Sequence, residues 1–351
     1  LGSKGEKVRV LLTGAGGFVG HHTLSHLLKT TDWDFVVTDS FRHYGTSARL
    51  RAVFEELPGE RNRVKVVTHD LTTPIDAVTS KEFGNIEVII NMASDSHVDR
   101  SIENPRPFVE NNIAIALTMF DYARTLDNLQ CFIQISTDEV YGPALNGVLH
   151  KEWEPLVPSN PYSASKMGQE AVANAYWRSY NIPLVITNTM NIIGERQDVE
   201  KFVPKTIAKF LKGESMLVHS KEVNGKYISG SRFYLHARNQ ADALRHLVEH
   251  FIKTPHRYTD GLAKPERFNV KGEVEIANDD MVDLIATMMP FEINFAPVKY
   301  VNVEGTRPGH DLRYGLDGSK LKDLGWNPPV PFEKSLKRIV DWTVKNPVWL
   351  K

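Results

Sequence analysis

The chain begins its ordered pattern with a short unbroken apolar run at residues 8–12, which stops at Thr13-Gly14. A run without polar alternation predicts a strand buried on both faces. Apolar residues then recur at helical spacing from about 17 to 29. Further runs at 35–38, 64–68, 88–91, 131–135 and 184–187 predict strands, while 111–124 and 161–180 predict helices. Strands alternating with helices predict an α/β protein with a parallel, doubly wound sheet over residues 1–190. Beyond 191 the rhythm breaks. Short elements among Gly-, Pro- and charge-rich loops predict a smaller domain over 191–351, with segments near 235–255 returning to the first domain.

Composition narrows this picture modestly. The 351 residues are 41% hydrophobic and 24% charged with a formal net charge of −1, so no global basic field points to nucleic acid. The one cysteine, Cys131, lies in an apolar run; it excludes an internal disulfide framework and fits a reducing, cytoplasmic setting. No apolar run reaches membrane-spanning length, no signal-peptide core follows Leu1-Gly2-Ser3, and no Cys/His spacing resembles a metal site.

Chemistry enters at the first strand's end. Gly14, Gly17 and Gly20 form a Gly-x-x-Gly-x-x-Gly, with Phe18 and Val19 inside it, between a predicted strand and a predicted helix. The glycines allow a tight turn, close approach to a pyrophosphate and close helix–strand packing, and the helix N-terminus offers N–H groups to phosphate. This is a Rossmann-type dinucleotide fingerprint in its expected context. Asp39 ends the second strand, where a carboxylate binds both ribose hydroxyls and repels a 2′-phosphate; NAD is therefore expected over NADP, with Arg42 the one nearby feature that could suit a phosphate. Asp70 and Leu71 end the third strand beside the adenine, and Ala93 follows the fourth.

Tyr162 and Lys166 are four apart on a predicted helix, hence on one face. A neighbouring Lys⁺ and a positive nicotinamide would favour the phenolate. Thr137 ends the fifth strand, where it can donate to an alkoxide, and Asp138 and Glu139 follow it as an adjacent acid and base. An enzyme that only oxidised an alcohol would not need that pair. The combination points to oxidation coupled to elimination.

Five runs carry a family resemblance: Thr-Gly-Ala-Gly-Gly-Phe-Val-Gly (13–20), Ser-His-Val-Asp-Arg-Ser-Ile (96–102), Ser-Thr-Asp-Glu-Val-Tyr-Gly (136–142), Pro-Tyr-Ser-Ala-Ser-Lys (161–166) and Arg-Pro-Gly-His-Asp (307–311). The chain resembles the extended short-chain dehydrogenase/reductases, and within them the dTDP-glucose 4,6-dehydratases. The resemblance implies that Tyr162 takes the sugar C4 hydroxyl proton as NAD⁺ takes the hydride, that Glu139 removes the C5 proton and that Asp138 protonates the departing C6 hydroxyl. It further implies Arg232, Asn269, Arg307 and His310 at the substrate pyrophosphate, Asn191 and Lys201 at the sugar and phosphate, and His97 beside the sugar pocket. It also implies a homodimer through the helices at 111–124 and 161–180, whose apolar positions Ile113, Ile115, Leu117, Met119, Val172 and Trp177 exceed one buried stripe.

Three departures bear on the substrate. The family commonly has Asn-Asn-Tyr-Gly-Pro where this chain has Asn191-Ile192-Ile193-Gly194-Glu195, and Arg-Asp-Trp where it has Arg232-Phe233-Tyr234. The stretch from Ser220 to Ser231 is roughly six residues longer than in that family, and His219 stands where a Tyr often flanks the base; altered base selectivity is expected. The alternatives are an epimerase or decarboxylase of the same superfamily, which would need no C6 acid, and a non-catalytic NAD-binding protein, which would not need Thr137, Tyr162 and Lys166.

Overall fold

A computed structural model describes residues 7–42, 45–145, 147–259, 261, 263–302 and 313–351. The first part alternates as the apolar runs predict: β1 (Arg9–Thr13), α1 (Phe18–Thr30), β2 (Asp34–Asp39), α2 (Ser47–Glu56), β3 (Val64–Thr68), α3 (Ala77–Phe83), β4 (Val88–Asn91), α4 (Val98–Glu103), α5 (Pro105–Ala123), β5 (Cys131–Thr137), α6 (Pro161–Tyr180) and β6 (Leu184–Thr189). Shorter elements follow: β7 (Ile192–Ile193), α7 (Phe202–Leu211), β8 (Met216–Val223), β9 (Lys226–Ser229), β10 (Ser231–Phe233), β11 (Leu235–His236), α8 (Ala237–Phe251), β12 (Glu266–Val270), β13 (Glu275–Ala277), α9 (Asn278–Met288), β14 (Val298–Asn302), α10 (Ser319–Asp323) and α11 (Phe332–Lys345).

The central sheet has seven strands in the order β3-β2-β1-β4-β5-β6-β12, and every pair is parallel. Parallel strands need crossovers, and the crossover helices cover both faces, so Val10, Leu11 and Leu12 are all buried. Alternation along each strand divides the core. Leu12 and Ile133 face Leu24 and Leu27 of α1 and Leu244 and Leu247 of α8; Leu11 and Phe132 face Met119 and Phe120 of α5 and Trp177 of α6. The chain from 235 to 251 thus packs in the first core. A separate core of Ile207, Phe210, Val218, Ile285 and Leu336 joins α7, β8, α9 and α11 into a smaller lobe.

Two expectations change. Of the six apolar positions counted as surplus on the long helices, Ile115, Met119 and Trp177 are buried in the chain's own core, Ile113 and Val172 are half-buried, and Leu117 is exposed. The longer stretch after Ser220 forms a β8–β9 hairpin with a two-residue Asn224-Gly225 turn, both residues at positive φ. It joins β14 in a three-stranded outer sheet. Among the described residues, no helix is long and apolar enough to cross a membrane.

The seventh strand comes from within the range read as the smaller domain. β12 carries Arg267 and Asn269, both fully buried, which hid it as an apolar run. Arg267 pairs with Glu170 of α6, itself fully buried, and stacks 4.1 Å from the ring centre of Trp153. Glu170 also accepts from Asn188 Nδ2 at 2.9 Å. Removing one member of such a pair strands the other charge. Glu170→Ala should therefore cost about 3–5 kcal/mol in chemical denaturation, whereas the double change Glu170→Leu with Arg267→Met should cost clearly less. Equal losses would show that the pair is not held as a desolvated unit.

Candidate active site

The carboxyl ends of the central strands open on one cavity of ≈670 Å³, whose wall runs from Asp39 and Asp70 at one end to Leu217 and His219 at the other. Open parallel sheets place ligands at this edge because the loops diverge there. The glycine turn forms its floor. Gly14 sits at φ +68 and its N–H donates to Thr38 O at 2.9 Å; Gly17 caps α1 and its N–H returns to Gly14 O at 3.0 Å. A Cβ on Gly20 would stand 2.1 Å from Gly14 O, so that position admits no side chain. Phe18, Val19, Leu71 and Ala93 border the same space.

Asp39 is pre-oriented by backbone: Gly16 N donates to one oxygen at 2.9 Å and Phe41 N to the other at 2.8 Å. Each oxygen keeps further accepting capacity at the cavity wall, which suits two ribose hydroxyls. Arg42 is drawn away to Asp70, so the feature suited to a 2′-phosphate is already paired. The cleft, the glycine turn and the paired acceptors fit a dinucleotide with a free 2′-hydroxyl.

The reactive groups gather at the end of β5. Thr137 Oγ1 donates to Asp138 Oδ1 at 3.0 Å, and Glu139 N donates to Thr137 Oγ1 at 3.4 Å. Across from them α6 begins with a capping box, in which Asn160 accepts from Ser163 N at 2.9 Å and its own N–H donates to Ser163 Oγ at 3.2 Å. The same Asn160 side chain donates to Glu139 Oε2 at 3.0 Å. One residue therefore caps the helix that carries Tyr162 and holds Glu139. Asn160 was missed as a site residue; its Asn-Pro signal marks only a helix start.

Asp138 is buried, and its Oδ2 has no hydrogen-bond partner among the described residues. Burial and then the neighbouring Glu139 push its carboxyl up to about 7, against the Thr137 hydrogen bond and the charge of Arg232. Lys166 is also buried; Nζ donates to Ile135 O at 2.8 Å and Gln169 Oε1 at 2.6 Å. Desolvation lowers it to about 7, with Glu170 opposing. The expected depression of Tyr162 is not found in the chain alone. Burial and then Glu139 raise the phenol well above its usual range, because the nearest charges are carboxylates and the Lys166 ammonium is itself disfavoured.

A buried relay ties this corner to the glycine turn. Thr13 Oγ1 donates to Asn91 Oδ1 (2.8 Å), Asn91 Nδ2 to Gln134 Oε1 (2.8 Å) and Gln134 Nε2 to Gln169 Oε1 (3.3 Å), the oxygen that also receives Lys166. None of these four polar residues was legible as part of the site.

The residues read as substrate ligands divide. His97, Asn191 and Lys201 border the cavity. His97 lies 3.2 Å from Glu200 through Nε2, and Lys201 Nζ reaches Ser96 O at 3.5 Å. Of the described residues that border the cavity, Arg232 is not one. It is set back with its guanidinium over Tyr314 at 4.9 Å, though its charge is felt at Asp138. Asn269 corrects the reading outright. It is fully buried on β12, its Nδ2 donating to His150 O and Asp317 O and its Oδ1 accepting from Tyr141 Oη, and it does not border the cavity among the described residues. Arg307 and His310 lie outside the described residues. The β8–β9 extension also differs from expectation: Leu217 and His219 of β8 border the cavity, and the extra residues turn away into the outer sheet.

The family model described as GDP-mannose 4,6 dehydratase matches residues 11–339. A trifunctional UDP-glucose 4,6-dehydratase/UDP-4-keto-6-deoxy-D-glucose 3,5-epimerase/UDP-4-keto-L-rhamnose-reductase of Arabidopsis thaliana is 32% identical over 97% of this chain and 47% of its own length, so the chain spans about half of that relative. The dTDP-glucose 4,6-dehydratase of Salmonella typhimurium is 30% identical over 98% of this chain and 94% of its own. The crystal structure of DesIV, a dTDP-glucose 4,6-dehydratase from Streptomyces venezuelae with NAD and TYD bound, superposes with a TM-score of 0.81 at 28% identity, covering 98% of this chain and 99% of that one.

The Asp138 shift has a stability sign. Its folded value of about 7 lies above the ordinary 3.8, so the folded chain keeps a proton that the unfolded chain releases between them. Stability from this site is therefore present below about pH 4 and lost as pH rises to 7. Asp138→Asn should stabilise the fold at pH 8 by on the order of a few kcal/mol and hardly at all at pH 4. Urea unfolding at both values checks this; a gain that is the same at both would refute the buried, protonated carboxyl.

Proposed function

This chain belongs to the GDP-mannose 4,6 dehydratase family, and on that premise we propose that it is an NAD-dependent nucleotide-sugar 4,6-dehydratase. Its substrate is a pyrimidine nucleoside-diphospho-glucose, dTDP-glucose first, and its product the 4-keto-6-deoxy sugar nucleotide plus water. One feature supports this reading above the others: a buried carboxyl whose surroundings push it up to about 7, with one oxygen unpartnered among the described residues, directly beside a second carboxylate. Epimerisation at C4 has no use for that acid.

NAD, when bound, supplies a hydride acceptor for C4 and a hydride donor for C6, together with a positive ring charge near Tyr162. The chain's own residues handle the protons. Tyr162 takes the proton of the C4 hydroxyl, with Thr137 donating to the developing oxyanion. Lys166, fixed by Ile135 O and Gln169, adds its charge once a ligand restores the ammonium. The C4 ketone acidifies C5, and Glu139, held by Asn160, removes that proton. Asp138 gives its proton to the departing C6 hydroxyl through Oδ2 and water leaves; Glu139 then returns its proton to C5 as C6 regains the hydride. C4, C5 and C6 are neighbours on one sugar, so Tyr162, Thr137, Glu139 and Asp138 can serve the steps in a single site. His97, Asn191 and Lys201 hold the sugar, and Arg307 and His310 serve the pyrophosphate end.

The test is an assay for a 4-keto sugar from dTDP-glucose and UDP-glucose. The two differ at the base by a methyl group, worth about 1–3 kcal/mol in an apolar pocket, and a kcat/KM ratio well beyond that would mean a pocket built for one nucleoside. Glu139→Gln should lower dehydration by about 10²–10⁴ while transient NADH formation persists. Dehydration by this variant at the wild-type rate would remove Glu139 from its role. The assembly follows from what the core leaves over: α5 keeps Val109 and Leu117 exposed, and a homodimer through α5 and α6 is the expected state. Light scattering at micromolar concentration should give twice the chain mass; a monomer would refute it.

A further inference from the structure

The segment from Gly194 to Asp198 leaves the cavity edge, crosses the first turn of α1 and returns to the wall at Gln197 and Asp198. At its start, a Cβ on Gly194 would meet His22 Nε2 at 2.9 Å and the Phe18 ring at 3.2 Å, so the segment lies directly on the turn that follows Gly17. Its middle is held by a carboxylate. Glu195 is 2% exposed, yet its surroundings favour the anion: burial acts to raise its pKa, and the hydrogen bond from His236 with the Arg338 guanidinium overcomes this and holds it far below the usual range.

The partners come from both lobes. His236 Nδ1 accepts from Arg238 N at 2.9 Å, so Nε2 carries the proton and donates to Glu195 Oε2 at 3.0 Å. Arg338 of α11, in the smaller lobe, donates to Glu195 Oε1 at 2.5 Å. His22 of α1 donates through Nε2 to the Glu195 carbonyl at 2.8 Å, and its ring stacks edgewise on Phe18 and on His236. Next in sequence, Arg49 of α2 donates to Arg196 O at 3.0 Å and to Asp198 at 2.8 Å. The Glu195 carboxylate thus ties the N-cap of α8 to α11, while the backbone carbonyl of the same residue takes the bond from α1. Glu195 stands where the family resembled by the sequence commonly has proline, which has no carboxylate to accept from His236 or Arg338.

We propose that Glu195 is a positioning residue that clamps the smaller lobe onto the cofactor-binding turn and thereby slows release of NAD. The inference rests on the cofactor reading above. The clamp acts through Phe18 and the first turn of α1. Loosening the segment frees the ring that borders the cavity and the N–H groups that face it. A cofactor whose hydride is borrowed and returned need not leave between turnovers, and a lock between lobes suits that economy.

The test is the rate of NADH release from the full-length protein, followed by NADH fluorescence after displacement with excess NAD. Glu195→Gln keeps the shape and removes the charge; Arg338→Gln removes the partner from an arm that is 59% exposed and so leaves the core intact. Release should quicken on the order of tenfold in Glu195→Gln, the factor expected for one charge-assisted hydrogen bond, and by less but in the same direction in Arg338→Gln. KM for the sugar nucleotide should rise more than kcat falls, which a general loss of folded protein would not produce. If Glu195→Gln fails to fold, Arg338→Gln decides alone. Release within about twofold of wild type in the folded variants overturns the clamp, since even a modest coupling exceeds that. A wild-type chain that binds no NAD at all sinks the cofactor reading and this one together.

Discussion

A line of four buried polar side chains, Thr13, Asn91, Gln134 and Gln169, governs the geometry of everything above it. Each link crosses from one structural element to the next, and the last shares its oxygen with Lys166. Buried amides without partners cost far more than satisfied ones return, so the line permits little sliding of β1 against β4, β5 or α6. Thr13 Oγ1 also accepts from Met92 N and Ala93 N at 3.0 Å, which fixes the loop facing the glycine turn. The height of the lysine and the path of the cofactor turn are thereby set by the same bonds.

Legibility followed chemistry that repeats locally. The runs around Leu11, Val36, Ile89 and Phe132 announced their strands because both sheet faces are covered. Glycine spacing and Tyr162 with Lys166 announced their site because turn and helix geometry are local. What stayed hidden depends on partners far along the chain. β12 reads as polar because Arg267 is buried only by virtue of Glu170, and Asn269 looked like a ligand because its partners His150 and Asp317 are distant in sequence. Asn160 announced a helix start and nothing more, since its second task, holding Glu139, needs the fold. The apolar excess on α5 and α6 was overcounted because a core two helices deep absorbs more than one stripe.

Electrostatics at the site works by withholding compensation. Asp138 and Tyr162 both sit where burial and neighbouring carboxylates disfavour the charged form, and Lys166 sits where burial disfavours its own. The unliganded site thus keeps protons where ionised groups would lack counter-charge. A cationic ring and a polar sugar would supply the missing field, so the ligands complete the electrostatics of the pocket as well as its shape. Glu195 shows the opposite solution, an anion whose two oxygens accept from His236 and Arg338.

The Glu170–Arg267 pair has a consequence for how the chain is made. Its members are 97 residues apart in sequence. At about 5–20 residues per second, a ribosome delivers α6 some 5–20 s before the strand that neutralises it. Through that interval the nascent sheet ends at β6, with an open edge and a carboxylate facing no guanidinium. Synthesis order therefore leaves the nucleotide-binding half waiting on a strand from the other half, and the period of exposure is one in which a chaperone has a defined edge to shield.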